Sequence, residues 1–142
     1  MKIEELKIRF HHVGFACNDI NKYKNFFLPF IEDNSGIIFE DKNQNVKVEF
    51  INLIGDKKVE LIQVLNSELY CPIKKFIDRN ISGFHHLCYE SNDVNETLLK
   101  LKDYNYRLVS KTINGFEGRV VSFVIPKKNP DGPLIEIISK KF

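Results

Sequence analysis

Apolar and polar positions along this chain fall into runs short enough to assign one at a time. KIRFHHVGFAC is rich in β-branched and aromatic residues and predicts a strand. NDINKYKNFFLPF follows with Ile20, Tyr23, Phe26, Phe27 and Phe30 at helical spacing and predicts a helix. Asn18 or Asp19 is placed to cap it by accepting from an orphan backbone N–H, and Pro29 discourages its continuation. GIIFED, NVKVEFINLI and KVELIQVL predict three strands separated by the polar breaks DKNQN and GDKK, the second a hairpin turn. Residues 72–80, with apolar Ile73, Phe76 and Ile77, predict a connecting helix. ISGFHHLCYES then predicts a strand, and DVNETLLKLKDYN a helix with Val94, Leu98 and Leu101 on one stripe and a polar end at Asn105. YRLVSKT, GRVVSFVIP and GPLIEIISK predict three more strands.

The order βαβββ therefore occurs twice, and the letters repeat with it. FHHVGFACNDI begins at Phe10 and FHHLCYESNDV at Phe84, 74 positions later, with Phe, His, His, Asn and Asp identical. A period longer than half of the 142 residues points to two copies of one module rather than an array of short repeats. The expected organisation is a single α+β domain over residues 1–142, with module one at about 8–66, a linker helix at about 72–80 and module two at about 82–142. Each sheet must bury one face against helices, which leaves the other free to curve around a ligand.

Composition narrows the classes of function. Hydrophobic residues make up 43% and charged residues 28%, with a net charge of +2, which suits a globular chain with a core and a cleft. The lysines are scattered among acids, so neither a nucleic-acid partner nor a basic membrane helix is expected. No apolar run approaches the roughly 18 to 20 residues that span a bilayer. MKIEELKIRFHH has neither the apolar stretch nor the small-residue cleavage site of a signal peptide, and a cytoplasmic location is the expectation. Cys17, Cys71 and Cys88 form no CxxC pair and read as buried, reduced thiols.

The repeat also selects candidate chemistry. Alternation within HHVGFAC puts His11, Val13, Phe15 and Cys17 on one face and His12, Gly14 and Ala16 on the other, a small-residue face suited to line a cavity. His86 matches His12 as the second histidine of its triplet, while His11 and His85 are expected to face the helices. Late in each half an otherwise apolar strand carries one acid, Glu60 in KVELIQVL and Glu136 in PLIEIISK. A carboxylate in a buried strand costs several kcal/mol unless it is paired or bound to a cation. Two imidazoles and two carboxylates at matching places suit one divalent ion of the group Mn, Fe, Co, Ni and Zn, leaving positions for substrate oxygens. His12, Glu60, His86 and Glu136 are accordingly the expected metal ligands.

At these residues the chain resembles the vicinal oxygen chelate (glyoxalase/bleomycin resistance/dioxygenase) superfamily, and within it most resembles the methylmalonyl-CoA epimerases. FHHVGFACNDI, VELIQVL, GFHHLCYESNDV and PLIEI stand in that family's order. The resemblance implies two βαβββ modules forming a cupped, eight-stranded mixed sheet around a central metal cleft. It implies His12, Glu60, His86 and Glu136 as the metal ligands, a small-molecule thioester substrate and a homodimer. The implied isomerase reaction removes a proton α to a thioester carbonyl, through an enolate stabilised by the metal, and returns it on the opposite face. Two bases are then needed; Glu136 matches one and Glu49, in VKVEFINL, matches a second acid of some family members. Where many epimerases read His-Pro-Lys before the last strand, this chain has Ile125, Pro126 and Lys127, followed by the altered loop KKNPDGP.

Two other readings stay open. A lyase of the glyoxalase I type, acting on a glutathione hemithioacetal, shares the ligand set including a Glu at position 60. Of another class is a non-catalytic small-molecule-binding protein, as in the superfamily's drug-sequestering members, which keep the fold without the metal. A ring-cleaving dioxygenase fits less well, since those members use two histidines and one carboxylate.

Overall fold

The computed structural model describes residues 5–33, 36–128 and 131–141. Among them are nine β-strands and three α-helices, which makes the class α+β. Two compact units emerge: residues 12–85, and residues 1–11 together with 86–142. The boundary passes between His11 and His12 and again between His85 and His86, so it divides each histidine doublet.

In the unit of residues 12–85 the strands are β1 (Ile8–Cys17, of which His12 onward belongs here), β2 (Ile31–Asp33), β3 (Ile38–Asp41), β4 (Val46–Leu53) and β5 (Lys57–Val64). Their lateral order is β2-β4-β5-β1, with β3 also paired to β4. β1 runs parallel to β5, and β4 antiparallel to β5. α1 (Ile20–Phe27) is capped by Asp19, whose carboxylate accepts from the backbone N–H groups of Asn21 and Lys22. The helix start is tied to the sheet where the Ile20 N–H donates to Gln63 Oε1 at 2.8 Å. Ile20 packs with Phe15, Cys17, Ile51, Val59 and Leu61, and Tyr23 and Phe27 lean on that core. Phe26, expected on the same stripe, is 68% exposed. At 100° per residue it falls well off the line through Ile20, Tyr23 and Phe27.

The hairpin expected at GDKK turns through Ile54, Gly55 and Asp56, since Leu53 pairs with Lys57. Gly55 (φ 91) and Asp56 (φ 59) both take the left-handed backbone such a turn needs. α2 (Lys74–Asn80) fills the expected linker helix.

The unit of residues 1–11 with 86–142 repeats the plan. Its strands are β6 (Ser82–Ser91, from His86 onward), β7 (Tyr106–Thr112), β8 (Val121–Pro126) and β9 (Leu134–Ser139), in the order β6-β9-β8-β7. β6 is parallel to β9, as β1 is to β5. α3 (Val94–Asp103) is capped by Asp93, and Val94 and Leu101 join Val124 and Ile137 in the core with Leu98 beside them. Buried Ser91 and Thr97 share a 2.7 Å hydroxyl contact at its first turn.

Eight strands were expected and nine are present among the described residues. The ninth is β2, three residues long, which pairs with β4 through an irregular register. A segment this short carries no readable alternation, and only the neighbouring strand's unpaired backbone groups make it a strand. No helix among the described residues is long and apolar enough to cross a membrane. All three cysteines are buried, and burial pushes the Cys17 thiol up to about 11.

Candidate functional site

His12 on β1 shares a strand face with Gly14 and Ala16. The parallel register pairs Gly14 with Glu60, which brings the carboxylate of β5 onto that face. His12 Nε2 lies 3.6 Å from Glu60 Oε2. His12 is 0% and Glu60 6% exposed. One strand further, Phe50 of β4 is the partner of Glu60 in the antiparallel register. The Phe50 ring meets the His12 imidazole edge-on, with centroids 5.2 Å apart and planes at 78°.

The other unit builds the same arrangement by the same register. Cys88 on β6, two residues after His86, pairs with Glu136 on β9. His86 Nε2 lies 3.5 Å from Glu136 Oε1, and both side chains are buried. Phe123 of β8 is the partner of Glu136 and meets the His86 imidazole edge-on at 5.9 Å and 86°.

Each His–Glu separation is longer than the roughly 2.7–2.9 Å of a charge-assisted hydrogen bond. Metal–ligand bonds of about 2.0–2.2 Å put neighbouring donors on one ion roughly 3 Å apart. One imidazole and one carboxylate at 3.5–3.6 Å therefore need only a small inward adjustment to ligate a common cation. Mixed nitrogen and oxygen donors of this kind suit divalent first-row metals, so the residues in each unit fit such an ion.

Glu49 lies on β4 next to Phe50 and so points to the opposite face. There it is buried, with Oε2 2.7 Å from Lys24 Nζ of α1. It is the partner of Leu61, itself part of the core beneath α1. The register thus brings together His12, Glu60 and Phe50 and leaves Glu49 on the helix-packed side. His85 packs edge-on against Phe76 of α2 at 5.2 Å. His11 meets Phe116 in a short 3₁₀ turn at 6.3 Å. Lys127 and Lys128 are exposed after β8; Asn129 and Pro130, within the altered loop KKNPDGP, lie outside the described residues.

Two features of these strands escaped the sequence reading. Phe50 and Phe123 were legible as a V-x-F triplet in both VKVEFINL and VVSFVIP, but nothing apolar marks itself as a neighbour of histidine before the strands pair. The other is the ionic network at the end of β6, where Glu90 Oε2 accepts from Arg119 Nη1 at 2.7 Å and Oε1 from Arg9 Nη2 at 2.9 Å. Its hydrogen bond from Arg119 holds the Glu90 carboxyl below the usual carboxylate range, against the opposing effect of burial.

Comparison with known proteins adds a family to this geometry. Residues 11–123 match the model of the glyoxalase/bleomycin resistance protein/dioxygenase superfamily. The chain belongs to this superfamily. Within the glyoxalase superfamily it is 31% identical over 131 residues to the mitochondrial methylmalonyl-CoA epimerase of Bos taurus, covering 91% of this chain and 73% of that protein. Among solved members, the methylmalonyl-CoA epimerase of Mycobacterium tuberculosis superposes with a TM-score of 0.74 at 20% identity, over 97% of this chain and 92% of that one. That of Streptomyces coelicolor, in complex with 2-nitronate-propionyl-CoA, gives a TM-score of 0.72 at 19% identity over 94% and 98%. Both superpositions establish the superfamily's fold for this chain.

Proposed function

We propose that this protein is a metal-dependent epimerase of an acyl-CoA thioester, of the methylmalonyl-CoA type. The observation that carries the proposal is the buried His–Glu pair built by one register in both modules, in a chain about 30% identical to such epimerases. In this reading the modules work as a single domain, and His12, Glu60, His86 and Glu136 hold one divalent ion. When bound, the ion would polarise the thioester carbonyl and make the adjacent proton more acidic.

The rest falls to the chain. Glu136 is the proposed base on one side of the α carbon, moving the proton between that carbon and a carboxylate oxygen. Buried Phe50 and half-buried Phe123 keep water from the reacting carbon. Glu49 enters as the second acid on the resemblance alone; its 2.7 Å contact with Lys24 supports an anchoring part, and E49Q separates the two. A cytoplasmic location and a homodimer belong to the same proposal.

Incubation of metal-loaded protein in deuterated water with methylmalonyl-CoA tests it. Deuterium at the acyl α carbon, without net breakdown, is the expected result. A full metal load with no exchange overturns the epimerase. Conversion of methylglyoxal plus glutathione would transfer the site to the glyoxalase I reaction. Failure to bind any divalent ion, with H12A unchanged, would leave a non-catalytic binding protein.

A further inference from the structure

We infer that Phe50 and Phe123 are positioning residues, each holding the imidazole plane of its histidine so that Nε2 faces the carboxylate of the same unit. The inference rests on the metal reading above only in what the held imidazole is for.

The ring torsion of a histidine is broad and roughly two-fold, so its plane is set by what it touches. In both units it touches a phenylalanine edge-on, at 5.2 Å and 78° for His12 and at 5.9 Å and 86° for His86. These values lie within the roughly 4.5–7 Å range in which T-shaped aromatic pairs attract. Each phenylalanine is itself held. Phe50 is 4% exposed and stacks on Phe39 at 6.3 Å, and Phe123 leans on Cys88, Val121 and Ile138.

Ordinary core packing would account for one such ring, but not for its recurrence at one register position. Phe50 and Phe123 each pair with the glutamate of the site. Their immediate predecessors, which face the other way, are unlike: Glu49 in one copy and Ser122 in the other. The two modules have diverged beneath the helices and kept the aromatic residue beside the histidine. An imidazole already turned toward its carboxylate loses less freedom when it takes up a ligand.

F50L and F123L retain an apolar side chain and remove the flat ring; F15L, in the core under α1, is the control for lost packing. Imidazole NMR of the metal-free protein should show one ordered His12 ring in the parent and F15L, and an averaged one in F50L, with His86 responding likewise to F123L. Cobalt(II) affinity, measured by competition with a chelating dye, should fall about ten-fold in F50L and F123L, the scale typical of residues that orient a ligand, and stay within about two-fold in F15L. Unchanged ring signals and affinity in F50L and F123L, with only the melting temperature lowered as in F15L, would overturn the inference. A parent protein that binds no cobalt would instead sink the metal reading, and the ring signals alone would then decide this one.

Discussion

Glu49 Oε2 lies 2.7 Å from Lys24 Nζ on the helix-packed side of β4, while the adjacent Phe50 turns the opposite way to meet His12. This relationship separates an anchor from a base. As an anchor, E49Q should lower stability by about 1–3 kcal/mol, because Lys24 loses its charged partner, and leave deuterium exchange at the substrate carbon within a few-fold of the parent. As the second acid, E49Q would cut exchange by roughly 10²-fold or more. Chemical denaturation and exchange kinetics on the same preparation distinguish them.

Removal of a bound divalent ion should destabilise the protein. An ion present at about 100 times its dissociation constant adds about 2.7 kcal/mol to the folded state. Chelation is thus expected to lower the melting temperature of the parent by several degrees and to do nothing to H12A or H86A. E60Q and E136Q should bind weakly, since an amide keeps the shape and loses the charge.

The Glu90–Arg119 pair predicts a pH dependence. Arg119 is 5% exposed and donates to both Glu90 and the Ser139 carbonyl. Because the folded carboxyl sits below its ordinary value of 4.5, its contribution is fully present above that value. It is lost as pH falls from about 4.5 through the lower folded value. Urea midpoints between pH 7 and pH 3 should therefore decline more steeply for the parent than for E90Q. R119M alone should cost about 3–5 kcal/mol at pH 7, since it strips a buried carboxylate of its main partner.

Ile81 ends α2 with φ 65 and ψ −49, a conformation hostile to a β-branched residue, and the residue is 59% exposed. Relief of the strain should outweigh the added chain entropy of glycine. I81G is expected to raise stability by about 1 kcal/mol, read as a higher urea midpoint.

Asn45 clips the chain that follows β5. It takes a left-handed φ of 57, and its Nδ2 donates to the carbonyls of Asn66, Leu69 and Tyr70 while Oδ1 accepts from the Asn66 N–H. N45A should cost about 2–3 kcal/mol and expose residues 66–70 to proteolysis. N45D, which keeps the Oδ1 acceptor but sets a buried carboxylate oxygen against three carbonyls, should be digested at least as fast as N45A.

Much of the fold was written in local pattern. The strand around Phe15 and the helices Ile20–Phe27, Lys74–Asn80 and Val94–Asp103 followed from periodicity, the first of these helices taking Asp19 of its two candidate caps. β2 and the exposure of Phe26 did not, because the first depends on a partner strand and the second on which side of a helix meets the sheet.

The candidate site divides along the same physical line. By itself the sequence determined a doubled order of elements and, through the repeat, nominated His12, His86, Glu60 and Glu136 as candidates, because duplication leaves its mark in spacing. Tertiary structure alone decided that Glu60 and Glu136 lie within 3.6 Å and 3.5 Å of their histidines, that a phenylalanine stands beside each, and that Glu49 faces Lys24 instead. Which side chains share a face depends on strand register, and register is set by backbone pairing between segments distant in the chain, which no local pattern encodes.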